Sequence, residues 1–161
     1  MVQQTLLEKE ILCEEDHPFL MNMNYVFQTD DRIYFIMRFV RGGEFHTYLS
    51  RIQSDPPRFP EEHARFYAIQ VALAIGHLHN SKIVYRDLKA KNILMDEDGY
   101  ICLTDFGMAK ILQKDEQTKT KVGTRDYVAP EVLTGWGYSF PVDWWTLGIL
   151  TYEMVVGFPP F

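Results

Sequence analysis

The octet Tyr85-Arg86-Asp87-Leu88-Lys89-Ala90-Lys91-Asn92 constrains this chain most, because it crowds polar and charged groups between two short apolar stretches, 82–84 and 93–95. Those stretches read as strands. A third strand, 101–104, follows the turn signal Asp98-Gly99, and Asp105-Phe106-Gly107 comes directly after it. Taken singly, each polar group has an ordinary explanation. An Asp before a Leu in a turn is usually a cap, Asp-Phe-Gly occurs in many turns, and a lone lysine is usually solvated. Their joint placement after successive short strands is what asks for a common purpose.

The rest of the chain reads as a frame for this region. Residues 2–14 look helical, with Leu7 and Ile11 on one face, and Asp16-His17-Pro18 breaks the helix. Tyr25–Gln28 and Ile33–Phe39 read as a hairpin across Thr29-Asp30-Asp31, and Gly42-Gly43 is a break before a short helix over 44–51. Residues 52–60 hold three prolines and read as a surface loop. A long helix follows over 61–79, with Tyr67, Val71, Ala74, Ile75 and Leu78 on one stripe and Glu61 and Glu62 at its N-terminal end. Residues 107–128 lack periodicity and read as a mobile loop. A second apolar helix spans 141–156 and ends at Gly157, ahead of Pro159-Pro160. The architecture is mostly helical after a β-hairpin.

Composition sets outer bounds. The 161 residues include 47 % hydrophobic and 14 % aromatic residues, too apolar for a disordered chain. Sixteen basic against 22 acidic residues leave a net charge of −6, which disfavours bulk binding to nucleic acid or to anionic membrane. No apolar run is long enough for a membrane span, and the first residues have neither a basic n-region nor an apolar h-region. Cys13 and Cys102 are too few for a disulfide scaffold and suit a reducing compartment. The expectation is a soluble cytoplasmic protein with access to the nucleus. His77 and His79 are two apart on a helix, a poor metal pair. With His17, His46 and His63 they read as structural or surface residues.

Phosphoryl transfer needs the kit found here. One carboxylate orients the attacking hydroxyl and accepts its proton. One cation offsets charge on the transferring group. A carboxylate and an amide oxygen suit magnesium, a hard cation that prefers oxygen. Gly107 lets the backbone turn just past such a ligand.

The ordered series Tyr85-Arg86-Asp87, Asn92, Asp105-Phe106-Gly107, Gly123-Thr124-Arg125-Asp126-Tyr127, Ala129-Pro130-Glu131 and Asp143-Trp144-Trp145-Thr146-Leu147-Gly148 resembles the protein-kinase signature set. Tyr-Arg-Asp in place of His-Arg-Asp, Asp-Trp-Trp-x-Leu-Gly and His63-Ala64-Arg65-Phe66-Tyr67 are similar to the AGC group of serine/threonine kinases. The resemblance extends to Leu6–Leu12 and His17-Pro18-Phe19-Leu20, and so covers essentially the whole chain.

It implies an α+β, two-lobed kinase fold, with 1–37 as the remainder of a small lobe and 38–161 as the hinge and first part of a large lobe. It implies ATP and Mg2+ as cosubstrate and cofactor, and serine or threonine in proteins as acceptor. By resemblance Asp87 is the catalytic base, Lys89 contacts the γ-phosphate, and Asn92 and Asp105 bind magnesium. Met37 is the gatekeeper, Arg38 and Val40 meet adenine through their backbone, Leu94 packs under it and Thr104 touches it. Glu44 contacts ribose and, with Glu153, a basic substrate residue. Thr124 bridges Asp87 and Lys89, and Asp143 holds the loop. Leu12, Met23, Tyr85 and Phe106 stack as a regulatory spine, a statement no different from ordinary core packing. Thr120 is the activation-loop phosphosite for an upstream kinase, with Thr118 as competitor. Arg86, for which no other partner is evident, forms the phosphate clamp with Lys110.

Departures from the pattern carry expectations of their own. Ala90-Lys91 stands where Pro-Glu is usual, so the usual arginine preference is in doubt. Arg125 replaces a proline, and Gln4 replaces a histidine that reaches the phosphosite in several members. Glu8 matches the helix glutamate that pairs with a strand lysine, but no lysine precedes it and no Gly-rich lid is present. The helices after the Asp-Trp-Trp helix are also missing, with the arginine that pairs with Glu131. A buried Glu131 lacking it would cost of order 3–5 kcal/mol. The chain therefore reads as the central part of a kinase domain, with an inactive truncated kinase acting as a decoy as the alternative. A small-molecule phosphotransferase of the same fold is disfavoured by Ala129-Pro130-Glu131 and the 123–127 loop, which serve protein substrates.

Overall fold

The computed structural model describes residues 2–161, with side chains from Thr5 onward, so the expectation for the Gln4 side chain lies outside the described residues. Helix α1 (Val2–Glu14) turns Ile11 and Leu12 into the core, with Leu7 partly buried beside them. Strands β1 (Met23–Gln28) and β2 (Ile33–Met37) form an antiparallel hairpin whose turn is closed by Thr29 N–H donating to Arg32 O at 2.8 Å. The second strand stops at Met37, two residues earlier than its apolar run suggests. Phe39 beyond it is exposed.

A short strand β3 (Gly43–Glu44) leads into α2 (Phe45–Ser50), and the long helix α3 (Glu61–Asn80) follows. The stripe expected on α3, Tyr67, Val71, Ala74, Ile75 and Leu78, is buried, and Ala64 and Gln70 are buried with it. Gln70 is tolerated there because its Oε1 accepts from Ile101 N–H at 3.0 Å. After β4 (Ile83–Val84), a 3₁₀ turn at Ala90–Asn92 runs into β5 (Ile93–Met95), which pairs with β6 (Ile101–Leu103) on one side and with β3 on the other. Gly42 permits that second pairing, since a Cβ there would lie 2.4 Å from Met95 O. The segment before β1 is stitched to this sheet: Met21 N–H donates to Leu103 O, and Leu103 N–H to Phe19 O, each at 2.8 Å.

Residues 107–128 correct the expectation of an aperiodic mobile loop. Lys110–Ile111 form a strand, β7, antiparallel to β4, with Ile83 opposite Ile111 and Val84 opposite Lys110. Ala109, Leu112 and Thr118 are buried, Thr118 bridges to Tyr138, and Arg125–Tyr127 form a 3₁₀ turn. A two-residue strand is too short to show a period. Only its long-range partner reveals it.

The chain closes with α4 (Pro130–Thr134) and α5 (Pro141–Val156). The fifth helix packs Val142, Ile149, Leu150 and Met154 inward, against α3 and the second small core under α4. Its apolar face is therefore covered in part, while Trp144, Trp145 and Tyr152 stay exposed. Gly157 ends it in the left-handed region (φ 99°), where a Cβ would also meet Pro56 Cβ at 2.8 Å. Glu131, expected to be buried and unpaired, lies half-buried in the first turn of α4. It makes no ion pair among the described residues, but solvent reaches it, so the penalty of a buried orphan charge does not apply.

Candidate active site

Asp143, on the first turn of α5, is the anchor of the site. Its carboxylate is fully buried and accepts from the backbone N–H groups of Tyr85 and Arg86, each at 2.8 Å, and sits 2.8 Å from His79 Nε2 on α3. A buried carboxylate persists only when its lone pairs are filled, and here three donors fill them. Two long helices thus clamp the polar octet at its start. The clamp also holds Arg86 in the left-handed region (φ 70°), which is costly for a residue with a Cβ. His79, read from sequence as merely structural or surface, turns out to be part of this clamp.

Two residues on, Asp87 is 5 % exposed and surrounded by donors. Lys89 Nζ lies 2.7 Å from Asp87 Oδ2 and donates to Thr124 Oγ1 at 3.1 Å. The Thr124 hydroxyl donates in turn to Asp87 Oδ1 at 3.1 Å. Asn92 Nδ2 donates to Asp87 O at 3.0 Å and Oδ2 at 2.9 Å. The structure therefore brings Asp87, Lys89, Asn92 and Thr124 into one network, although Thr124 is far from the others in sequence.

The Asn92 NH2 donates to Asp87, so its amide oxygen is turned away from that carboxylate. Asp105 is exposed, and its Oδ1 accepts only from Gly107 N–H, at 3.2 Å. It too is in the left-handed region (φ 57°), which Asp tolerates better than most residues. An exposed carboxylate and an amide oxygen fit magnesium by their chemistry, since it takes one or two protein oxygens and completes its shell with water and phosphate. Among the described residues no three His, Cys, Asp or Glu side chains converge as a metal site.

A cavity of about 300 Å³ joins Glu8, Leu12, Met21, Phe35, Met37, Leu94, Thr104 and Asp105. Four residues expected at a nucleotide or metal site (Met37, Leu94, Thr104 and Asp105) share it with Glu8. Burial, and then the charge of Asp105, push the Glu8 carboxyl above its usual range. The spine residues Leu12, Tyr85 and Phe106 are buried in the same core, against which Met23 packs, and the Tyr85 and Phe106 rings meet edge-on at 5.7 Å.

Other expected residues lie apart from this cavity. Arg38 and Val40 line a separate cavity of about 310 Å³ with Asp96, Glu97 and Asp98, and the Arg38 guanidinium reaches Cys102 Sγ at 3.3 Å. Glu44 is exposed on β3, opposite Leu94. Glu153 lies in yet another cavity, of about 320 Å³, with His46, Lys89, Lys91, Thr124 and Asp126. Its carboxylate accepts the hydroxyl of Tyr127, and burial, then Glu153 itself, hold that phenol far above its ordinary range.

The premise that Arg86 has no other partner does not hold. Its Nε donates to Met108 O at 2.6 Å, and its Nη atoms reach Ala109 O and the Tyr138 hydroxyl. Tyr138 in turn donates to Thr120 O at 2.5 Å, so one residue links Arg86 to exposed Thr120. Lys110 Nζ lies 3.8 Å from Glu116, and Thr118 is buried. Backbone carbonyls and a distant tyrosine leave no signature near Arg86 in the sequence, which is why its partners were not legible there.

Comparison with known proteins supplies the context for this geometry. Residues 1–161 match the protein kinase domain family. The chain is similar to a RAC family serine/threonine-protein kinase homolog of Dictyostelium discoideum (48 % identity over 162 residues, 99 % of this chain and 36 % of the relative). It is also similar to serine/threonine-protein kinase Sgk3 of Rattus norvegicus (48 % over 158 residues, 97 % and 31 %). A third relative is serine/threonine-protein kinase YPK1 of Saccharomyces cerevisiae (44 % over 161 residues, 99 % and 23 %). The chain thus spans about a third or less of the length of these relatives.

Proposed function

The chain belongs to the protein kinase family, in its AGC group of serine/threonine kinases, and on that premise we propose that the protein moves the γ-phosphoryl group of ATP to serine or threonine in protein substrates. The observation that supports this best is the closed network of Asp87, Lys89, Thr124 and Asn92 at the mouth of the octet.

Asp87 accepts the proton of the attacking hydroxyl. The hydroxyl oxygen bonds to the γ-phosphorus as the bond to the β–γ bridging oxygen breaks, and ADP departs. Donors on both carboxylate oxygens fix the plane of Asp87, so little reorganisation is left for the reaction itself. Lys89 offsets charge on the transferring group, and Thr124 holds Lys89 and Asp87 in register. Asn92 and Asp105 would hold magnesium, which when bound neutralises charge on the phosphate oxygens.

Met37, Leu94 and Thr104 form the side-chain wall of the adenine site, while Arg38 and Val40 contribute backbone. Glu44 meets ribose or a basic substrate residue. Glu8 grips a cation that orients the phosphates, and Glu131 steadies the segment after the substrate loop. The cavity beside Thr124 receives the substrate chain, with Glu153 and Lys91 in its wall. Thr120 is the site phosphorylated by an upstream kinase, with Arg86 and Lys110 nearby, and the protein acts in the cytoplasm.

The test is Asp87→Asn in the full-length protein, assayed with ATP, magnesium and a serine peptide. Turnover should fall by about 10²- to 10⁴-fold, the usual worth of a positioned base. Nucleotide affinity should be unchanged. Wild-type turnover by the variant would remove Asp87 from the chemistry.

A further inference from the structure

Glu15 stands one residue beyond α1 and turns its carboxylate onto the far end of α3. Its Oε2 accepts the Ser81 hydroxyl at 2.8 Å and lies 2.8 Å from His77 Nε2. The Glu15 side chain is 14 % exposed. His77 Nε2 is buried but not aligned for a hydrogen bond, so the contact depends on charge. His17 closes the cluster, with its ring 4.9 Å from that of His77 and its Nδ1 accepting from Phe19 N–H at 3.2 Å. The titratable groups that meet here are Glu15, Asp16 and His17 from the segment after α1, and His77 from α3, with the Ser81 hydroxyl beside it. Among the described residues no lysine or arginine pairs with any of them.

We propose that Glu15, His77 and His17 form a proton-gated latch that fastens the C-terminal end of α1 to α3. With a neutral His77 the 2.8 Å contact is a poorly aligned dipole against a carboxylate. With a protonated His77 it becomes an ion pair in a partly buried setting, where screening by water is reduced. Burial, then the neighbouring His77, hold the His17 imidazole below its ordinary value, with Asp16 opposing in part. A second positive charge therefore enters the pair of rings only at lower pH. The sign follows: the latch holds when His77 carries its proton and loosens when it does not. The helix it holds carries Glu8, two turns back from Glu15, into the cavity shared with Asp105. Proton binding at the far end of α1 thus bears on how firmly that carboxylate is positioned.

The experiment is hydrogen exchange of the α1 amides in the full-length protein at pH 6 and pH 8, corrected for intrinsic exchange. Wild-type protection near residues 9–15 should be about two- to fivefold greater at pH 6, the worth of one partly exposed ion pair. His77→Gln and Glu15→Gln should each abolish the pH difference, and the double variant should be no worse than either. His77→Lys, charged at both pH values, should keep the protection at pH 8. An equal pH ratio in wild type and in both Gln variants would overturn the latch. The readout needs no catalysis, so it stands or falls separately from the proposed activity.

Discussion

Asp87 and Asp105 sit on either side of the same strand pair and are built in opposite ways. Asp87 is buried, with donors on both oxygens from Lys89, Asn92 and Thr124. Asp105 is exposed, with one backbone donor on one oxygen and a second carboxylate, Glu8, across its cavity. One negative charge is neutralised by the fold, and the other raises the proton affinity of its neighbour. The fold thus fixes the orientation of the Asp87 carboxylate from within, while the Asp105 side remains a surplus of negative oxygen. The difference also shows where rigidity comes from. The Asp87 side hangs from Asp143, which is locked between α3 and α5, whereas Asp105 follows β6 in a left-handed bend.

The largest break of this contrast is Asp143→Ala. It orphans the buried Tyr85 N–H, the partly buried Arg86 N–H and the His79 ring, so stability should fall by about 3–5 kcal/mol, as when one partner of a buried pair is removed. Denaturant unfolding measures it, and a loss under about 1 kcal/mol would mean the octet is held by something else.

Asp105→Asn should act in the opposite manner. An exposed residue whose left-handed backbone suits Asn as well should change ligand-free stability by no more than about 0.5 kcal/mol. The thermal stabilisation given by magnesium with ATP should largely disappear. A retained shift would take Asp105 out of the metal site.

The smallest effect is expected at Glu8. Its carboxyl is raised above the ordinary value of 4.5, so the folded state favours the protonated form. The Glu8 contribution to stability therefore declines as pH rises from about 4.5 toward neutrality. Glu8→Gln should melt a degree or two higher than wild type at pH 7 and no higher at pH 4, followed by calorimetry. An equal gain at both pH values would point to packing rather than to charge.

Much of this molecule was legible in its residues, and the reason is range. The helices at 2–14 and 141–156 match the expected bounds, and the one at 61–79 extends by a single residue. Periodicity and Gly or Pro stops are local signals, complete within a few turns. The octet itself was legible because Asp87, Lys89 and Asn92 are near neighbours. The β4–β7 pairing, the Arg86 contacts with Met108 and Ala109 and the Glu15–His77 contact were not, since each joins residues with no shared local pattern. Thr124 was placed from sequence by resemblance alone, and its hydroxyl reaches Asp87 only through the return of the 107–128 segment.

The sequence by itself determined the three long helices, the hairpin and the polar side chains of the octet, because each depends on neighbours within a turn or a strand. Only the tertiary structure decided which charges are neutralised and which are left over. Coulomb energy and desolvation depend on distances in space, and chain order does not contain them.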